Sequence, residues 1–143
     1  MIVASDLLGE VVVEEDELIT FPAGLLGFPA TRTFILIPSE REGMYWLQSV
    51  EQSPLAFLLV DPFVAVPGFA VDVGAGDLAE LEAKEEADVA VLAIVTLASP
   101  SAGGCTVNLQ GPVALNLRAR RAKQLAVPES RYGVRHPIDL AAL

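Results

Sequence analysis

The stretch Thr106–Leu117, TVNLQGPVALNL, constrains this chain more than any other. Val107, Leu109, Val113, Leu115 and Leu117 stand at odd positions, with Thr106, Asn108, Gln110 and Asn116 at even ones. Side chains two apart share one face of a strand, so the pattern is that of a half-buried β-strand. The phase persists across Gly111-Pro112. A two-residue hairpin would swap the parity of the inward face. Preserved parity therefore predicts either one strand bent at Gly111-Pro112 or a three-residue turn. Pro removes a ladder donor and Gly tolerates a kink, so a corner or bulge belongs here. Bent strands that pass from one sheet to another are how small barrels and folded sandwiches turn their corners.

The rest of the chain repeats the theme. Gly and Pro punctuate short apolar runs, as in an all-β domain. Gly9–Val13 and Leu18–Phe21 read as strands joined by the acidic tip Glu14-Glu15-Asp16-Glu17. Thr33–Ile37, Met44–Val50, Leu55–Val60, the weaker Phe69–Val73, and Ala122–Val127 follow the same logic. Val89–Leu97 is apolar at odd and even positions alike, which predicts a strand covered on both sides. One helix is expected over Asp77–Glu86, with Asp77 as N-cap, a Glu80–Lys84 ion pair and a thin apolar stripe, plugging one end of a barrel. The expected fold is all-β: a small antiparallel β-barrel or folded sandwich with one short helix, in a single domain over residues 1–143. Hydrophobic residues reach 52%, enough to fill a two-sided core or to leave an apolar patch for a partner.

Charge is uneven. Residues 1–100 hold 17 acids and 3 bases, a balance of −14, while residues 101–143 hold 2 acids and 6 bases, a balance of +4. An acidic majority repels phosphate and disfavours direct nucleic-acid binding. It either keeps an apolar chain soluble or attracts a basic protein. Arg118, Arg120, Arg121 and Lys123 form the one basic cluster, with no aromatics interleaved to stack on bases. They read as a solvent-facing edge strand guarded by charge, or as a contact with an acidic partner or the chain's own acidic half.

Chemistry is sparsely provisioned. His136 is the only histidine, and no serine sits in a nucleophile-elbow context. Cys105 is the single cysteine, has no basic neighbour nearby, and reads as a small core residue in a reducing compartment. The acidic pairs Glu80/Glu82 and Glu85/Glu86 read as a solvated face. The tip Glu14–Glu17 lacks the alternating ligands and Gly of a calcium loop, and Gly74-Ala75-Gly76 lacks the Lys of a phosphate-binding loop. No cofactor or metal is expected. The N-terminus has no basic leader or sustained apolar core, and the longest apolar run, near ten residues, is too short to span a bilayer. A cytoplasmic protein without a membrane attachment is expected. Between Pro62 and Pro67, the apolar residues Phe63, Val64 and Val66, with Phe69 beyond, either close the core or present a binding surface.

Several blocks together carry a family resemblance. They are Phe21-Pro22-Ala23-Gly24-Leu25-Leu26-Gly27-Phe28; Tyr45-Trp46-Leu47-Gln48-Ser49 running on to Phe57-Leu58-Leu59-Val60-Asp61-Pro62; Val91–Thr96; Thr106–Val113; Asn116 with Ala122-Lys123-Gln124; and Tyr132 with Arg135-His136-Pro137-Ile138. In this order, over nearly the whole chain, they resemble the flagellar assembly factor FliW family. The resemblance implies a cytoplasmic, non-enzymatic β-barrel with two alternative protein partners. One is flagellin, held near its C-terminal helical segment before export. The other is the RNA-binding translational repressor CsrA, antagonised allosterically so that flagellin translation matches export. A monomer is expected when the protein is free. Glu14, Glu15, Asp16, Glu17, Glu51, Asp61 and Asp72 are candidate charge contacts for the repressor. Phe63, Val64, Val66 and Phe69 are candidate apolar contacts. Phe28 and Trp46 are expected in the core, and Gly24 and Gly27 are expected to serve backbone geometry. The loop Pro67–Gly76 is smaller and richer in Ala and Gly than the family leads one to expect. The readings that compete with this one are a small-molecule-binding barrel and a homo-oligomeric structural subunit.

Overall fold

The computed structural model describes residues 1–97, 105–128 and 131–139. Its strands are β1 (Ile2–Ser5), β2 (Gly9–Val12), β3 (Ile19–Thr20), β4 (Thr33–Pro38), β5 (Met44–Ser49), β6 (Ala56–Val60), β7 (Ala90–Leu97), β8 (Cys105–Asn116), β9 (Arg121–Gln124) and β10 (His136–Ile138). Two short helices, α1 (Pro62–Ala65) and α2 (Ala75–Glu80), accompany them. Strands β4 to β9 follow one another as antiparallel neighbours, except that β3 rather than β9 flanks β4. β3 is antiparallel to β4 and parallel to β9, and this last pairing, Thr20 against Arg121, closes a seven-stranded barrel. The β1–β2 hairpin packs outside it, burying Val3 and Val13 against Ile35 of β4.

Every barrel strand sends a side chain to the interior. Ile19, Phe34, Leu47, Leu59, Leu92, Val113, Leu115 and Ala122 meet there with Phe21 and Leu25. The rings of Phe21 and Phe34 meet edge to face at 5.1 Å. The outer face of β5 to β8 is equally apolar. Met44, Leu58, Val60, Ala93, Val95, Val107 and Leu109 are covered there by Val66, Phe69 and Ile138. The apolar excess of the composition thus serves burial on two faces, and β7 is the doubly covered strand its sequence predicts.

β8 is one continuous strand bent at its middle, as the first of the two sequence alternatives has it. Ile94 stands opposite Asn108 and Leu92 opposite Val113, so the four residues Leu109–Pro112 face the single Ala93. That excess of three is odd, and it turns the strand over. Val107 and Leu109 point to the outer cluster, whereas Val113 and Leu115 point into the barrel. The odd residues therefore do not share one inward face, contrary to the sequence expectation. Parity in the sequence is conserved because both sides of the corner are apolar. The Asn108 side-chain oxygen holds the corner, accepting from the N–H groups of Gln110 and Gly111 at 3.0 Å each. Before the corner β8 pairs with β10; after it, with β9.

The helical parts correct the sequence reading. α2 starts earlier than predicted, with Gly74 rather than Asp77 at its N-cap, and it ends at Glu80. The Asn116 amide donates to the carbonyls of Leu81 (2.9 Å) and Glu82 (3.3 Å), the acceptors a helix reaching Glu86 would need. Glu82 then turns with φ +56. Leu81 is fully buried against Ala114 and Leu125, so this segment covers the outer wall of the barrel rather than plugging its end. Glu80 pairs with Lys123, not Lys84. α1 is a second helix, where the sequence predicts a loop between Pro62 and Pro67. Its signal is Asp61-Pro62: the carboxylate caps the Phe63 N–H at 2.9 Å, and Pro62 opens the first turn. Phe69–Val73 forms no strand, though Phe69 and Val73 are buried. β1 and β10 have no counterpart in the sequence reading.

Replacing Asn108 with Ala leaves two N–H groups at the corner without their acceptor. An unsatisfied buried donor costs about 1–3 kcal/mol, and urea denaturation of Asn108→Ala is expected to show a loss in that range with an unchanged slope.

Candidate protein-interaction surface

The candidate contact residues fall in separate places. Glu15–Glu17 form a single 3₁₀ turn in which the Glu17 carboxylate accepts from the Glu14 N–H at 2.9 Å. Glu14, Glu15, Asp16 and Glu17 are all exposed. The tip is tied to the barrel seam by Arg120, whose guanidinium donates to the Glu17 carbonyl at 2.6 Å. Glu51 is exposed but engaged: one carboxylate oxygen accepts from the backbone N–H groups of Arg32 (3.0 Å) and Thr33 (2.8 Å). Those two hydrogen bonds, to Arg32 and then Thr33, hold its pKa below the ordinary carboxylate value. Asp61 is the cap of α1, and Asp72 is exposed.

The apolar quartet divides. Phe63 and Val64 are 48% and 64% exposed, while Val66 and Phe69 are 6% exposed each and belong to the outer core cluster. Val66 and Phe69 are thereby removed from the candidate contact surface: α1 packs its C-terminal end inward to cover β5 to β8. Phe69 also meets the ring of Phe63 at 5.2 Å and of Tyr132 at 4.9 Å. Asp61, Phe63 and Val64 are the candidates that the fold brings together. Val64 and Asp61 border a hollow of about 520 Å³ beside Arg41 and Glu42.

The basic cluster is not a guarded sheet edge. β9 is paired on both sides at Arg121. Arg121 pairs with Glu82 at 3.1 Å, and Lys123 with Asp77 at 2.6 Å and with Glu80. Burial works against the Lys123 charge, but hydrogen bonds to Asp77 and Glu80 outweigh it and hold the pKa above the ordinary value. The chain's own acidic half thus pairs Arg121 and Lys123, one of the alternatives left open by the sequence.

A larger surface escaped the sequence reading. A groove of about 1090 Å³ runs between the segment Pro22–Pro29 and the segment Ala122–Pro128. Leu25 turns into the barrel, whereas Leu26 is 85% exposed on the groove wall. Phe28, expected in the core, is 38% exposed and rests edge-on against Phe57 at 5.6 Å. Trp46 is partly buried against the outer cluster. Gln124 bridges the groove: its Oε1 accepts from the Leu26 N–H at 2.9 Å and its Nε2 donates to the Gly111 carbonyl at 2.8 Å. The signal was present in the adjacent Leu25-Leu26, since a tight Gly-flanked turn cannot bury two consecutive leucines on one side. Gly24 (φ +69) and Gly27 (φ +89) take the left-handed conformations expected of them.

Cys105 is half-buried opposite Ile138, and His136 lies opposite Val107 on the outer strand β10. Among the described residues, no three His, Cys, Asp or Glu side chains are placed to hold a metal ion, and no helix is long and apolar enough to cross a membrane.

The comparisons with known proteins decide the family. The family model described as FliW protein matches residues 2–138. The chain belongs to the FliW family. A flagellar assembly factor FliW of Geobacter sulfurreducens is 42% identical over 143 residues, covering 99% of this chain and 89% of that protein. One of Natranaerobius thermophilus is 37% identical over 139 residues, covering 96% and 92%. A crystal structure of the flagellar assembly factor FliW superposes with a TM-score of 0.88 at 31% identity, covering 96% of each chain. The FliW family is named for assembly and is not a family of enzymes. The barrel and the resemblance read from the sequence blocks stand.

Two outcomes follow from this geometry. A Cβ on Gly24 would lie 2.5 Å from the Phe28 carbonyl oxygen and 2.6 Å from that of Pro29, whereas one on Gly27 meets open space. Left-handed strain alone costs about 1–3 kcal/mol, so Gly27→Ala should lose about that much by urea denaturation and Gly24→Ala distinctly more. For Glu51, a folded pKa below the unfolded one means stabilisation present at neutral pH and lost as pH falls through the folded value. The stability gap between wild type and Glu51→Gln should be steady near pH 7 and shrink below about pH 4, where Glu begins to protonate.

Proposed function

We propose that this flagellar assembly factor works in the cytoplasm by holding one of two protein partners at a time, with residues 1–143 acting as one domain. One partner is flagellin, engaged through its C-terminal region before export. The other is the translational repressor CsrA, whose action on flagellin synthesis is antagonised while it is held. The observation that carries the reading is the family match over residues 2–138. Two features of the surface support it. The first hundred residues carry a balance of −14, which suits a basic RNA-binding protein. Phe63 and Val64 stand exposed beside the Asp61 cap, which suits an apolar helical face. Mutually exclusive binding turns relative concentrations into a switch: exported flagellin frees the factor to take the repressor, and accumulated flagellin takes it back.

The interior of the barrel is filled by Phe21, Phe34, Leu47, Leu59 and their neighbours, so the small-molecule alternative has no support there.

Pull-downs with purified flagellin and purified CsrA, each alone and then together, test the proposal. Each is expected to bind alone, and either is expected to displace the other. The complex with the repressor should weaken between low and high salt, because screening shortens the reach of the acidic surface. Phe63→Asp is expected to lower flagellin binding at least tenfold while far-UV circular dichroism shows the chain still folded. Failure of both proteins to bind at micromolar concentration would overturn the proposal.

A further inference from the structure

We infer that the groove beside β9 is a strand-addition site, which takes an extended, uncharged, aliphatic-rich segment of another protein as one more strand against Gln124–Ala126. The inference rests on the reading that this protein acts by holding another chain, and it specifies how one surface would do so.

The geometry begins with the barrel seam. β3 and β9 pair only at Thr20 and Arg121, where Thr20 N–H donates to the Arg120 carbonyl at 3.0 Å. One residue beyond Phe21, Pro22 has no N–H to offer and the chain swings away through Ala23 and Gly24. β9 does not follow. It continues along β8, with Leu125 N–H donating to the Pro112 carbonyl and Val127 N–H to the Gln110 carbonyl, each at 2.8 Å. Alternate residues of a strand point their backbone groups to opposite sides. With Leu125 and Val127 turned to β8, the N–H groups of Gln124 and Ala126 turn to the groove. Neither has a partner among the described residues. An unpaired edge of this kind is a template for another strand.

The surroundings define the occupant. Pro22, Leu26, Ala126, Pro128 and Val134 make the walls apolar. Leu26 (85% exposed) and Val134 (50% exposed) are large apolar side chains left to water on those walls. The charged groups of the rim, Lys123 and Arg121, are already paired with Asp77, Glu80 and Glu82, so a charged segment gains no counter-ion there. The Pro22–Pro29 wall stands alongside the edge, which bars a second copy of the barrel from bringing its own recessed β9 against this one. A free, extended segment can enter. Five residues of β-strand span about 17 Å, enough to run alongside Lys123–Val127.

The probe is a phage-displayed library of random octapeptides selected on the full chain. Enriched sequences should be rich in Val, Ile and Leu. Their affinity should fall at least tenfold on Ala126→Pro, which removes the edge N–H, and on Leu26→Asp, while Ala126→Gly retains binding. Ala126→Pro alters no hydrogen bond among the described residues, and far-UV circular dichroism checks that it and Leu26→Asp stay folded. In the free protein the amides of Gln124 and Ala126 should exchange with deuterium faster than those of Leu125 and Val127, and a selected octapeptide should slow them. The inference is overturned if no peptide is enriched, if enriched peptides ignore both substitutions, or if the Gln124 and Ala126 amides are as protected in the free protein as their neighbours. It is also overturned if sedimentation shows a dimer that Ala126→Pro dissolves, because a second copy would then be the occupant. These outcomes stand apart from those of the flagellin and repressor pull-downs: the groove can bind peptides while both named partners fail, and both can bind while the groove stays empty.

Discussion

The corner in β8 is the constraint on which the other elements depend. A strand of twelve residues serves three neighbours, β7 along its length and β10 and β9 on successive halves of its other side. It can do so only because three extra residues are taken up opposite Ala93. Bulges of this kind bend a strand and re-aim its side chains. Here the re-aiming is complete: the same sequence parity feeds the outer cluster before the corner and the barrel interior after it. Without the corner, β9 would not reach β3, and the barrel would be an open sheet with two long edges. Asn108 supplies the turn, Gly111 the room, and the Gln124 amide a clasp from the partner strand. A Cβ at Gly111 would lie 2.5 Å from the Gln124 side-chain nitrogen, so the clasp in this position requires the glycine.

Electrostatics follow from the same closure. β9 carries the basic residues and α2 the acidic ones, and the fold lays them side by side. Exposed ion pairs contribute about 0–1 kcal/mol each, so Arg121 with Glu82 is a minor contribution to stability. Lys123 is better placed, with two carboxylates converging on one ammonium that is partly shielded from water. Its effect is also on specificity. The pairing engages Arg121 and Lys123, two of the four residues of the basic cluster, so less positive charge is offered to partners than the sequence balance of the two halves implies.

Much of this architecture was legible in the residues. The short apolar runs Thr33–Ile37, Met44–Val50 and Leu55–Val60, with Gly and Pro as punctuation between them, together with the two-sided run Val89–Leu97, sufficed for the antiparallel body of the barrel. The corner was legible from Gly111-Pro112, but the flip of faces was not, because the odd residues are apolar before and after it while two different clusters, one outside the barrel and one inside, receive them. The end of α2 was illegible for a tertiary reason: Asn116, far along the chain, takes the carbonyls that local helix propensity would have used. α1 was legible in Asp61-Pro62, a cap followed by a first-turn proline, and was passed over because four residues leave no periodicity to read. At the surface, composition could not separate Phe63 and Val64 from Val66 and Phe69. One turn of helix does that: it leaves the consecutive Phe63 and Val64 outside, and the chain that follows it carries Val66 and Phe69 inward.

The placement of the groove is a consequence of closing a barrel with a strand of two residues. β3 pairs at Ile19–Thr20 and then must leave the sheet, since Pro22 cannot donate and the Gly24 turn brings the Phe28 carbonyl back over it. β9 is fixed to β8 by the ladder and cannot follow. The two strands therefore diverge from the point at which they meet, and the wedge between them is walled on its far side by a turn that buries Leu25 and leaves Leu26 outside. An antiparallel closure with a longer β3 would have paired β9 to its end and left no edge. A short parallel closure makes the barrel complete enough to exclude water from its interior and incomplete enough to leave backbone groups facing an apolar recess. The block Phe21–Phe28 thus has two duties at once. Its glycines shape the seam, and its second leucine sets the character of the surface beside it.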